Sequence, residues 1–152
     1  MKRHVALSFA LLALTAGIAA ATDHEHDLPA GPIHDRHELM ERIGDNSKII
    51  GDAMKAGNTA PVAEAAEKIR ADAAKALPLF PKGSTHENSR AKPEIWDQWD
   101  KFEAGMKDLE AKAGALAAAA KGGGEVGPAA KAMFGNCKSC HDSFRKPEEE
   151  NS

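Results

Sequence analysis

The chain has 152 residues, 42% of them hydrophobic, with a formal net charge of −3. That is the length of one domain with apolar content sufficient for a core, and the mild acidity excludes a surface built to hold nucleic acid phosphate and favours basic partners. Tyrosine is absent and alanine, lysine and glutamate dominate, while no segment alternates apolar and polar residues as a strand does, so the composition points to helices.

Residues 1–21 read as a cleaved secretory leader. Lys2, Arg3 and His4 form a basic start, Val5 to Ile18 an apolar run, and Ala19-Ala20-Ala21 a small-residue cleavage site. The run is too short to span a bilayer comfortably, and no later stretch is long and apolar enough to do so. The expected mature chain is therefore 22–152, one domain exported to the periplasm. Its net charge is −5, because the leader takes two of the twenty Lys/Arg and none of the twenty-three Asp/Glu. Residues 22–34 and 147–152 are expected to be flexible. His24, Glu25, His26 and Asp27 have the chemistry of metal ligands, but a terminal segment with Pro29, Gly31 and Pro32 is not preorganised for coordination.

Four amphipathic segments follow. The first is predicted over 35–56, with Asp35 and Glu38 as a capping box, Gly57-Asn58 as its stop, and a seam of Ile33, His37, Met40, Ile43, Ser47, Ile50 and Met54. The second starts at Pro61 and stops at Pro78, with Val62, Ala66, Ile69, Ala73 and Ala76 as its seam. A loop from Leu79 to Lys92 carries apolar anchors, Phe80 among them, that should pack back on the helices. The third helix runs from Pro93 to the glycines 122–124, with Ile95, Trp99, Phe102, Met106, Leu109, Ala113, Leu116 and Ala120 in register. The fourth spans 128–146, with Ala130, Met133, Cys137, Cys140 and Phe144 in register. Short connections between such helices predict an all-α, antiparallel up-down-up-down four-helix bundle. Many seam positions are Ala, Gly or Ser, so a core of protein alone would be thin, and a large apolar cofactor would fill it.

The fourth segment holds the most informative residues, Cys137-Lys138-Ser139-Cys140-His141, which include the chain's two cysteines. C-x-x-C-H is the attachment signature of c-type haem: two thiols add across the porphyrin vinyl groups and the adjoining imidazole reaches the iron. On a helix, spacings of three and four bring Cys137, Cys140 and His141 to one side, together with Met133 and Phe144. Other readings of the pair fit less well. A disulfide between cysteines three apart closes too small a loop to stabilise much. A thioredoxin-like pair belongs at a helix N-terminus in a βαβ unit. Zinc needs a fourth ligand, and none is evident.

With these residues in place, the chain resembles the class II cytochromes c, the cytochrome c prime family, over essentially its whole mature length. The likeness rests on the C-terminal Cys-Lys-Ser-Cys-His-Asp-Ser-Phe-Arg at 137–145, the Phe80-Pro81-x-Gly83-Ser84 loop, and Arg36-x-x-x-Met40-x-x-x-Gly44 on the first helix. It implies one covalent haem c, attached through Cys137 and Cys140, with His141 as an iron ligand. In high-spin members the residue opposite the histidine does not coordinate and the iron stays open to small gases; in low-spin members a methionine binds there. The matching residue here is Met40, which implies the low-spin branch: iron held by His141 and Met40, single electrons shuttled between proteins, and no enzymatic reaction. The alternative is a high-spin gas-binding protein, for nitric oxide or carbon monoxide, with Met40 unligated.

Read from the residues alone, a methionine at a bundle seam is more often core filler than ligand, and His37, one turn earlier, is its rival. The resemblance also implies that Arg36 lies by the haem propionates and Arg145 beside the proximal imidazole, although either arginine can equally be a surface residue, Arg145 complementing a helix C-terminus. Trp99 and Phe102 are expected to wall the haem pocket or to pack beside it, and Gly44 and Ser47 to let a flat porphyrin approach the first helix. The expected partners are redox proteins, with neither nucleic acid nor membrane insertion, and the protein is expected to be a monomer or a homodimer.

Overall fold

The fold, seen in a computed structural model, is described for residues 28–147; the expected leader, the cluster at His24 to Asp27 and the glutamates after Pro147 lie outside the described residues. The elements are α1 (Pro32–Lys55), α2 (Val62–Ala76), the short α3 (Glu94–Asp97), α4 (Trp99–Ala118) and α5 (Val126–Phe144). The four long helices form the expected antiparallel bundle. Among the described residues there is no strand, and a single isolated bridge pairs Ala91 with Arg145.

α1 begins three residues earlier than its polar pattern predicts. Gly31 takes φ 107°, a left-handed value that glycine adopts without strain, and Pro32 opens the helix, where its missing N–H costs nothing. Pro32 to His34, expected in the flexible stretch 22–34, therefore form the first turn. Asp35 lies inside the helix, its N–H bonded to the Gly31 carbonyl oxygen at 2.9 Å, so the expected capping box is not made.

The buried stripe of α1 is also turned from the expected seam. It reads Arg36, Leu39, Ile43, Asn46, Ile50, Ala53, sharing Ile43 and Ile50 with the prediction. Ile33, His37, Met40, Ser47 and Met54 form a second, half-buried stripe alongside. The reason lies in two polar residues whose partners are invisible to hydrophobic periodicity. Asn46 donates from Nδ2 to the Arg42 carbonyl oxygen at 2.7 Å, and Arg36 finds partners in a distant loop; a satisfied polar group is not excluded from the interior.

α2 buries every predicted seam residue and Ala65 besides. Its alanines let it sit between α1 and α4, with which it makes its main packing. The predicted third helix is broken at Gln98 (φ −122°, ψ 43°), which separates α3 from α4 while Ile95 stays buried at the core edge. Phe102, Met106, Leu109, Ala113 and Leu116 carry the seam on through α4. A wide turn at Ala119–Gly123, with Gly122 at φ 107°, then reverses the chain. α5 leans on α4, and the α1–α5 side is the least packed of the four. The half-covered residues on those two helices include Met40 on α1 and both cysteines on α5.

Candidate functional site

Ala130, Met133 and Phe144 anchor α5 in the core, and this fixes the flank on which the residues between them emerge. Cys137 and Cys140 follow the same register, are half-buried as free thiols, and pack against the edge of the core. His141 is one position further round and exposed. Just before the pair, Asn136 donates from Nδ2 to the Gly105 carbonyl oxygen at 3.2 Å and to Asp108 Oδ2 at 2.7 Å, tying this stretch of α5 to α4. Two thiols and an imidazole thus stand in a row where the apolar interior meets water.

Burial pushes the Cys137 thiol above the ordinary thiol range, and Cys140 rises through burial and then through the negative charge of a Cys137 thiolate. A thiol that works as a free nucleophile needs the opposite shift, so the burial of the pair counts against the thioredoxin-like reading, as does the absence of a strand among the described residues. The imidazole of His141 is pulled below its ordinary value, chiefly by desolvation and then by the cations of Arg145 and Arg90, with Asp142 opposing. Its outer face is open, yet enough protein surrounds the ring for desolvation to lead. The result favours neutral imidazole, the form that binds a metal. Among the described residues no three or more His, Cys, Asp or Glu side chains converge on a metal position, and zinc's further ligands have no source there.

Arg36 is 4% exposed. Its Nη1 donates to Ser84 Oγ at 2.7 Å, and its Nη2 donates to the Ser84 carbonyl oxygen at 2.7 Å and to Ser89 Oγ at 3.0 Å. The guanidinium lies 5.1 Å from the Phe80 ring centroid and 6.0 Å from that of Trp96, whose Nε1 donates to the Phe80 carbonyl oxygen at 3.2 Å. Among the described residues no carboxylate pairs with Arg36, and burial alone acts on its pKa, downward. A buried charge without a counter-ion is costly, and the serines use part of its fork of N–H donors, leaving others for an anion. Ser84 belongs to the loop quoted above, but the part of Ser89 was missed: no local spacing signals a side chain that reaches back to the first helix.

Met40 stands one turn after Arg36, half-buried and packed at the edge of the core. Its rival His37 has Nε2 3.3 Å from Glu41 Oε1. Gly44, a further turn on, is exposed, with open space where a side chain would stand, and Ser47 is half-buried. Phe102 is a core residue at the centre of an aromatic group, 4.7 Å from Phe80, 5.7 Å from Trp99 and 5.5 Å from Phe144 between ring centroids. Trp99 is half-buried. Arg145 pairs with Ala91 in the isolated bridge, and its N–H reaches the His141 carbonyl oxygen at 3.0 Å.

The family model described as Cytochrome C' matches residues 31–145, from the residue before α1 to the residue after α5. The chain belongs to the cytochrome c' family. It is similar to the cytochrome c' of Rhodopseudomonas palustris, 34% identical over 153 residues that cover 95% of this chain and 97% of the relative. It is also similar to the cytochrome c-556 of Agrobacterium tumefaciens, 35% identical over 121 residues, 76% of this chain and 95% of that one. Among solved structures, cytochrome c prime from Shewanella frigidimarina superimposes with a TM-score of 0.72 at 26% identity, covering 80% of this chain and 98% of that one.

Cytochromes c' bind one covalent haem c with its iron, and this is the cofactor of the protein. The residues present suit that group: paired thiols at the core edge, an imidazole beside them whose surroundings favour its neutral form, and a buried guanidinium that has no carboxylate partner among the described residues. Four of the five curated relatives bear the name cytochrome c' and one the name cytochrome c-556, so membership of the family does not select the methionine-ligated branch expected from Met40. No helix among the described residues is long and apolar enough to cross a membrane.

Proposed function

We propose that this is an exported cytochrome c' with haem linked to Cys137 and Cys140, iron bound by His141, and the opposite face of the iron open to a small diatomic gas beside an unligated Met40. The observation that carries the attachment is the row of two half-buried thiols and the adjoining imidazole on one flank of α5. The family and the name of most of its relatives support the open iron. When bound, haem supplies an iron centre that can change oxidation state and take up one further ligand. The chain's residues hold and orient it. Cys137 and Cys140 tether it to a helix clamped to α4 through Asn136, and His141 offers a lone pair kept unprotonated by its surroundings. Arg36 offers a buried positive charge to the propionates. The basic start and Ala-rich cleavage site support release of residues 22–152 into the periplasm.

The second reading is the electron carrier expected above, with iron gripped by both His141 and Met40. One observation favours it: Met40 lies in the half-buried stripe of α1 and not in the buried one, so its thioether is not consumed as core filler. The spectrum of the reduced protein decides between the two. Open iron gives broad visible bands and binds carbon monoxide as readily in the native protein as in Met40→Ala. Sharp, split bands, with carbon monoxide binding only after Met40→Ala, would establish the electron carrier instead.

A further inference from the structure

Residues 80–92 are joined at both ends to parts of the molecule that are distant in sequence. At one end, Ser84 and Ser89 together accept three hydrogen bonds from the buried Arg36 of α1. At the other, the Lys92 N–H donates to the Phe144 carbonyl oxygen at 2.9 Å and the Lys146 N–H to the Arg90 carbonyl oxygen at 2.8 Å. Arg90 adds bonds from Nε at 3.2 Å and Nη2 at 3.0 Å to the Lys146 carbonyl oxygen, and Lys92 Nζ reaches the Asp142 carbonyl oxygen at 3.1 Å. The segment therefore crosses from the first turns of α1 to the last turn of α5, the turn that begins at His141. Helix ends leave carbonyl groups unpaired and fray unless something holds them. Here a backbone strap supplies the partners. α1 and α5 pack little on each other directly, so the strap is a link between Arg36 and the histidine that does not pass through the core.

We propose that the strap is a positioning device for His141, with Ser84 and Ser89 as its positioning residues: they pin it to Arg36, and its far end fixes the last turn of α5 and with it the direction in which the imidazole is presented. This rests on the reading that His141 binds the haem iron. Neither serine attaches haem or ligates its iron; both act through the hydrogen bonds they accept from Arg36, and the strap amides report the loss of that grip separately from any change at the propionates.

The test uses the full-length, haem-loaded protein and the double variant Ser84→Ala/Ser89→Ala, with Ile69→Val as a variant that loosens the core away from the strap. Two quantities are measured by nuclear magnetic resonance: exchange of the Lys92 and Lys146 amide protons, and the iron-shifted resonances of the proximal imidazole. In the double variant both amides should exchange about tenfold faster, the result of losing roughly one hydrogen bond's worth of local stability. The imidazole resonances should move with haem content unchanged, and Ile69→Val should leave them in place. Native-like amide protection, or unmoved imidazole resonances, in the double variant overturns the proposal, as does an equal shift in Ile69→Val. Should His141 not bind iron, the native protein itself would lack shifted imidazole resonances, a failure distinct from that of the strap.

Discussion

At the residue scale the site is a set of opposed burial effects. Desolvation raises the thiols and lowers the imidazole, because each is pushed toward its neutral form. For residues 22–152 made without haem, this has a pH consequence. A raised thiol pKa leaves less thiolate at pH 8, so Cys137 and Cys140 should be alkylated more slowly than a free cysteine. Their rates should climb to a plateau only above the ordinary thiol range, as a rate–pH profile would display. His141→Ala should remove the native spectrum while haem stays tethered by the thioethers. An unchanged spectrum would contradict its place as ligand. Arg36 shows how a residue can be legible in kind and hidden in detail. A resemblance points to it, but only the folded chain places its charge in the interior between two serines, with no carboxylate partner among the described residues.

At the element scale, the energetics concentrate where α4 meets the strap and α5. Phe102 is 2% exposed and touches three aromatic rings, so Phe102→Ala should cost about 3–5 kcal/mol in denaturant unfolding, as aromatic truncations in cores do. Asn136→Ala removes two hydrogen bonds between α5 and α4 and should cost about 1 kcal/mol. These elements were legible to different degrees. α2 was read almost whole, because Pro61 and Pro78 bracket a seam whose apolar residues are all truly buried. The seam of α1 was right at Ile43 and Ile50 and one position off at its other turns, since hydrophobic periodicity gives weight to Met40 and Met54 and cannot credit a buried Arg36 or Asn46. The break at Gln98 carries neither glycine nor proline at the kink, and the turn at Gly31 displaced a capping box that looked plausible from spacing alone.

At the scale of the whole molecule, the bundle was legible because four helical periods separated by Gly and Pro leave few other ways to bury so many apolar stripes. The cofactor was legible in one short motif, Cys137 to His141. What could not be read was contact between distant segments: the bridge between Ala91 and Arg145 and the grip of Ser89 on Arg36 have no periodic signature. Ligation by Met40 has no such signature either, since spacing along α1 says nothing about what a thioether binds. The claim on which every other depends is that haem is joined covalently to α5. Mass spectrometry of the native, haem-loaded protein tests it most directly. A mass of residues 22–152 plus one haem, with haem retained on the peptide that contains Cys137 and Cys140, is the predicted result. A bare polypeptide with both thiols open to alkylation would contradict it.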